Sequence, residues 1–161
     1  MLELFSRAPD LLTPVEGSHL TPISMEEEIS SLSAILMDEI YYSFLQSGKR
    51  EIDGLQVAGV EHLIPLKARA WLDLTRRQRS DGKVDSKQIK KHKNDVFRLS
   101  VIADPEHVGP VPQVVKDDLQ AFLEQVKSEG VDFKSLKLGN QTLDKVVFEL
   151  QKIYGLDSMT S

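Results

Sequence analysis

Chemistry in this chain has to come from carboxylates, histidines, hydroxyls and lysines. Its 161 residues include no cysteine, which removes thiol catalysis, disulfides and cysteine-ligated zinc together. The residues best spaced for the remaining options lie in two segments, Lys67-Ala-Arg-Ala-Trp-Leu-Asp-Leu-Thr-Arg-Arg77 and Lys90-Lys-His-Lys-Asn-Asp-Val-Phe-Arg-Leu99. Lys67 is one helical turn from Ala70 and Trp71, so its amine stands beside an apolar stripe, where an ammonium acts on a triphosphate as a point charge. The plainer expectation is that its carbon stem covers apolar surface while the amine extends to water. His92 and Asp95 are three residues apart and share a face with Leu99. That spacing permits a charge-assisted hydrogen bond between them, or a pairing of Asp95 with Lys67 or Arg69, and a structural polar clamp is the default. Glu51-Ile-Asp53 comes nearest to a paired carboxylate. Alternation along a strand would put both acids on one side, a geometry that suits magnesium, although Gly54 beside them fits a solvent-facing strand end as well. His19, His62 and His107 stand alone, with no zinc-like spacing. No Gly-rich phosphate loop, Gly-x-Ser-x-Gly or Asp-x-Asp occurs in the sequence. Trp71, at helical spacing, predicts core and not a base-stacking platform.

These residues need elements to hold them. Leu2 to Phe5 reads as a short strand, and three prolines with Gly17 make Ala8 to Ser24 a loop. Ile29 to Met37 has the apolar density of a buried strand, though a helix continuing through Leu45 is also compatible; Gly48 ends it. Arg50 to Val57 reads as one strand bent or bulged at Gly54. Leu63, Leu66, Ala70 and Leu74 then set a helical period running to about Gln78, with Pro65 in the first turn, where its missing N–H is harmless. Asp81-Gly82 makes a turn. Asp85, with Gln88 at capping-box spacing, opens a second helix from about Lys87 to Ala103, stopped by Asp104-Pro105. A third follows Pro112, striped by Val115, Leu119, Phe122 and Val126, and ends at Gly130. A fourth begins near Thr142 and carries Leu143, Val147, Leu150 and Tyr154 before Gly155. The class expected is α/β (α+β), with a partial sheet over residues 1–60 and a helical subdomain over 61–161.

Composition fits one compact domain: 40% of residues are hydrophobic and 28% charged, which excludes disordered and collagen-like chains. No apolar run approaches the ~20 residues of a membrane span, and Glu3 and Pro9 interrupt any signal-like stretch, so a cytoplasmic location is expected. The net charge of −5 hides a segregation. Lys67 to Arg98 holds eleven Lys and Arg against four Asp, a local +7, while the rest of the chain sums to −12. A basic middle between acidic flanks could steer phosphate, or could be a solvated face balanced by the chain's own acids.

Leu63-Ile-Pro-Leu-Lys-Ala-Arg-Ala-Trp-Leu-Asp-Leu74 followed by Val84-Asp-Ser-Lys-Gln-Ile-Lys-Lys-His-Lys-Asn-Asp-Val-Phe-Arg-Leu99 resembles the second half of bacterial AbiEii-type nucleotidyltransferases. These are relatives of abortive-infection toxins with the polymerase-beta-like nucleotidyltransferase fold. The resemblance extends at most over Leu2 to Ala103 and is carried by Leu63 to Leu99. In that family a lysine-bearing helix precedes a helix with a D-x-x-D pattern; Lys67 matches the first, and His92 and Asp95 match the second, with histidine in place of the leading acid. The resemblance implies NTP and Mg²⁺ as cofactors and transfer of a nucleoside monophosphate to an acceptor such as RNA or tRNA. It makes Lys67 and Asp95 catalytic, and Lys67, Arg69, His92 and Asp95 nucleotide-binding. It also makes Glu3, on the opening strand, a candidate for the third metal carboxylate. The family's Asp-x-Asp strand is missing from this sequence. The chain would then start midway through the catalytic sheet, as a gene fragment, split subunit or shortened chain does, and no turnover is expected from it alone. Its partners would be nucleotide, an antitoxin or the missing N-terminal half. The competing expectations are a non-catalytic basic-helix module for RNA or an acidic partner, and a decayed reading frame.

Overall fold

A computed structural model describes residues 39–82 and 84–156, the side chain of Asp81 excepted. The expected strand at Leu2 to Phe5, with Glu3 and His19, and the apolar run from Ile29 to Met37 lie outside the described residues. The chain divides into two units, residues 1–43 and 44–161. Helix α1 (Glu39–Ser47) crosses that division. Its first turn is the described part of the first unit, where the Ser43 hydroxyl donates to Glu39 at 3.4 Å. All that follows concerns the second unit.

Where one bulged strand was expected, the chain makes a hairpin. Strands β1 (Lys49–Ile52) and β2 (Leu55–Ala58) pair antiparallel, Lys49 opposite Ala58 and Ile52 opposite Leu55. Asp53 and Gly54 both take positive φ, 51° and 78°, as a two-residue hairpin turn whose twist matches its strands requires, and Asp-Gly is a favoured pair for it. The glycine is therefore a corner and not a bulge. Glu51 and Asp53 consequently do not alternate along one strand; Glu51 instead accepts from the Gln56 amide at 3.3 Å across the ladder.

Helix α2 (Val60–Asp81) is three residues longer at each end than the periodicity predicts. Pro65 is its sixth residue, in the second turn and not the first, so the missing N–H is one that would have bonded the carbonyl of Glu61. That carbonyl is not orphaned. The Tyr154 hydroxyl, 93 positions away, donates to it at 2.7 Å. Gly82 closes α2 in the left-handed region, its N–H bonded to Gln78. Helix α3 (Ser86–Ser100) starts where Asp85 accepts the Lys87 N–H at 2.8 Å, and it ends three residues short of the expected Ala103. After a short 3₁₀ turn (Pro105–His107), α4 (Gln113–Glu129) and α5 (Leu143–Tyr154) fall where their stripes and caps place them, Thr142 accepting the Lys145 N–H at 3.3 Å.

The architecture is α+β and mostly helical: among the described residues, five α-helices and one two-stranded antiparallel sheet. The core of the second unit joins Ile64, Ala68 and Trp71 of α2 to Val96 and Phe97 of α3, Leu119, Phe122 and Val126 of α4, and Val147 and Leu150 of α5. Trp71 meets Phe122 edge to face with ring centres 5.2 Å apart, and Phe97 meets Phe133 likewise at 5.5 Å, arrangements that add to the burial of their area. Trp71 is 1% exposed, so it is core, as its spacing predicts.

Candidate functional site

The two helices expected to carry chemistry are packed on each other. The four-residue link 82–85 makes α2 and α3 antiparallel neighbours. Lys67 lies on α2 between Leu66 and Ala68, and the whole residue is only 7% exposed. Nearly all of its carbon stem is therefore covered by neighbouring groups. Lys67 stands 14 residues before the end of α2 and Asp95 nine after the start of α3, an offset of roughly 8 Å along the paired axes. Asp95, half-buried, pairs with Arg98 one turn on at 3.5 Å, and Arg69 pairs with Asp118 of α4 at 3.6 Å. His92 is half-buried on α3, nearer the link than Asp95.

A second polar cluster, not expected from the sequence, sits where the hairpin meets α2. Glu61 is 2% exposed. One of its carboxylate oxygens accepts from the Arg50 guanidinium of β1 at 2.7 Å, and the other accepts the backbone N–H of Asp104 at 2.9 Å. Its own carbonyl takes the Tyr154 hydroxyl. One residue thus ties β1, α2, the segment after α3, and α5. The Tyr154 phenol is pushed well above its ordinary range by burial and, secondarily, by the Glu61 charge. His62, 2% exposed, stacks on Phe44 with ring centres 4.5 Å apart, and its Nε2 lies 3.5 Å from the Ser47 hydroxyl. Burial lowers the pKa of His62, partly offset by Glu61 and reinforced by Arg50. Its ring lies against Gly48, where any Cβ would fall inside the imidazole, and Gly48 accepts the Gly59 N–H at 2.8 Å. Ser47 and His62 do not make a nucleophile pair. The serine donates to the Phe44 carbonyl at 2.7 Å, and no carboxylate holds the buried Nδ1 of His62. The one sequence signal for this cluster was Pro65, which guarantees a carbonyl four residues earlier in search of a donor.

The link between α2 and α3 is cationic. Arg76 to Lys90 contains six basic and two acidic residues in a chain of net charge −5. Arg77 pairs with Asp73 at 2.9 Å and Lys93 with Glu129 at 2.9 Å. Arg76, Arg79, Lys87 and Lys90 are exposed and have no ion-pair partner among the described residues. Beside them opens a cleft of about 250 Å³ between α2, α3 and the end of α4, lined by Gln78, Ile89, Lys90, Asn94 and Val131 among others.

Compared with family models, with curated proteins and with solved structures, the chain matches none. Among the described residues no three histidines or carboxylates are grouped so as to hold a metal ion. Asp53 sits in the hairpin turn and not on the strand with Glu51, so the described donor set does not form a two-metal centre, and Glu3 lies outside the described residues. No helix among the described residues is long and apolar enough to cross a membrane.

Proposed function

We propose that this chain supplies the triphosphate-holding lysine of a nucleotidyltransferase-like protein of the AbiEii kind: Lys67 contacts the phosphates and Asp95 fixes another part of the same nucleotide, with Arg69 and His92 flanking them. The observation that carries this proposal is the burial of Lys67. Lys67 has a partner within the chain, and an ammonium held in place at a buried position is what a triphosphate-binding amine requires. The ~8 Å axial step to Asp95 suits a ligand of nucleotide length. Arg69, already paired to Asp118, acts by holding α2 on α4. No step is assigned to a metal, since the described carboxylates do not form its site, and the chain alone is expected not to turn over. A cytoplasmic location and an antitoxin or a metal-bearing half as partner belong to the same proposal.

Titration calorimetry of the whole chain with ATP, CTP, GTP and UTP tests it, using Lys67→Met to keep the stem and Lys67→Arg to keep the charge. Loss of the charged contact in Lys67→Met should weaken binding at least about tenfold, the lower end of what a charge-assisted hydrogen bond contributes, and Lys67→Arg should retain part of it. Absence of NTP binding by the unmodified chain, or equal binding by a folded Lys67→Met, refutes the proposal. NTP-dependent labelling of RNA or protein by the chain alone, lost in Lys67→Ala, refutes the expectation of no turnover. The non-catalytic alternative, a module for RNA or an acidic protein, is favoured by a different observation, the unpaired cations at the α2–α3 link.

A further inference from the structure

Four cations of the basic segment have ion-pair partners: Arg69 with Asp118, Arg77 with Asp73, Lys93 with Glu129 and Arg98 with Asp95; Lys67 is buried. Those left exposed and unpaired are not scattered. Arg76 and Arg79 occupy the last two turns of α2, Lys87 and Lys90 the first two of α3, so all four lie within roughly 10 Å of the link along the helix axes. Of the two acids beside them, Asp81 and Asp85, the second caps α3. A chain with 25 acidic residues against 20 basic ones thus gathers, at one end of one helical hairpin, four cations with no ion-pair partner among the described residues; Arg79 complements the dipole of α2, whereas Lys87 and Lys90 stand at the unfavourable end of the α3 dipole. Polyanion binding is the task such a placement serves.

We infer that the tip of the α2–α3 hairpin docks single-stranded RNA, its phosphates on Arg76, Arg79, Lys87 and Lys90 and one unstacked base in the adjoining cleft. The cleft's volume of about 250 Å³ is at the small end of ligand sites, room for one base and not for a larger cofactor. Its lining combines apolar Ile89 and Val131 with the amides of Gln78 and Asn94, groups that meet a base face and a base edge; of its two acids, Glu129 is paired with Lys93 and Asp132 accepts the backbone N–H groups of Lys134 and Ser135. The cations stand 9 to 12 residues along α2 from Lys67, some 14 to 18 Å. Docking at the tip does not depend on Lys67.

Fluorescence anisotropy of the full chain with a short labelled RNA of mixed sequence tests this across a salt series. Four phosphate contacts at about 0.7 counterions each give a log–log slope near −2.8, so affinity should fall about 50-fold between ~50 and ~200 mM salt. The quadruple variant Arg76→Gln, Arg79→Gln, Lys87→Gln, Lys90→Gln should lose binding at the lower salt, and each single change should reduce the slope by about 0.7. Ile89→Trp, which fills the cleft, should weaken RNA binding several-fold with the slope unchanged. Polyglutamate serves as the acidic-polypeptide probe. No RNA binding, an unaffected quadruple variant with native circular dichroism, or polyglutamate binding as tightly as RNA overturns the inference, the last outcome pointing to an acidic protein. RNA binding that persists in Lys67→Met while NTP binding is lost supports the tip and leaves the two proposals separately scored.

Discussion

The contact between Tyr154 and the carbonyl of Glu61 exists because of Pro65, and a double-mutant cycle measures that dependence. In the unmodified chain the carbonyl has no helical donor, and the Tyr154 hydroxyl at 2.7 Å supplies one. Tyr154→Phe keeps the ring, itself 1% exposed, and removes only the hydroxyl, so packing is retained while a buried acceptor is left bare. A net hydrogen bond contributes about 1 kcal/mol and an unsatisfied buried group costs ~1–3 kcal/mol, which puts the loss near 2 kcal/mol. Pro65→Ala restores an N–H at the position four residues on, able to bond the same carbonyl. In that background Tyr154→Phe should cost only about 0.5–1 kcal/mol, so the two changes couple by about 1 kcal/mol, inside the range for residues sharing a hydrogen-bond network. Urea unfolding followed by circular dichroism gives all four stabilities, with an unchanged m-value as the check that the unfolded state is common to them. Equal costs for Tyr154→Phe in the two backgrounds would show that proline and tyrosine act independently, and the account of this cluster would be wrong.

Acidification should destabilise the fold through His62. Its pKa is lowered in the folded state, chiefly by burial, against an unfolded value of about 6.5, so the unfolded chain binds the proton first. Stability then falls as pH drops from above 6.5 toward the folded value and levels off below it. His62→Gln should flatten the pH dependence of urea midpoints in that window, whereas an unchanged slope removes His62 as its source. Gly48→Ala drives a methyl into the His62 ring and should destabilise by about 1–3 kcal/mol, the usual penalty of overpacking; an unaltered melting temperature contradicts the contact. Asp85→Ala removes the cap of α3 at a cost of about 1 kcal/mol, and Asp85→Asn should recover most of it, which equal destabilisation by both would disprove.

Where the sequence carried local signals, it could be read closely. Helices α4 and α5 follow stripes of one residue per turn and end at Gly130 and Gly155 as expected, and the caps at Asp85 and Thr142 accept the N–H groups that their types imply. The hairpin was misread because Gly54 alone was weighed, when Asp53-Gly54 is a corner pair in its own right. Helix α2 was drawn too short because Val60 and Glu61 lie ahead of the first regular apolar stripe. The Glu61 cluster was out of reach for a different reason. Its partners Arg50, Asp104 and Tyr154 come from 11 residues before to 93 after, and no period or motif links them. Asp95 pairs with Arg98 at an i,i+3 spacing visible in the sequence.

Helix α2 gives these observations a common mechanical sense. Its first turn is fixed by Glu61, which holds the hairpin through Arg50 and α5 through Tyr154. Its middle is tied to α4 by Arg69 and Asp118, and its end is turned sharply into α3 by Gly82. Lys67 lies between the first two anchors, six residues or ~9 Å beyond Glu61. The cationic tip lies beyond the last anchor, and Arg76, Arg79, Lys87 and Lys90 there are exposed. Loosening the Glu61 cluster should therefore disturb Lys67 before it disturbs the tip, so Glu61→Gln should weaken nucleotide binding while leaving the salt slope of RNA binding as it was.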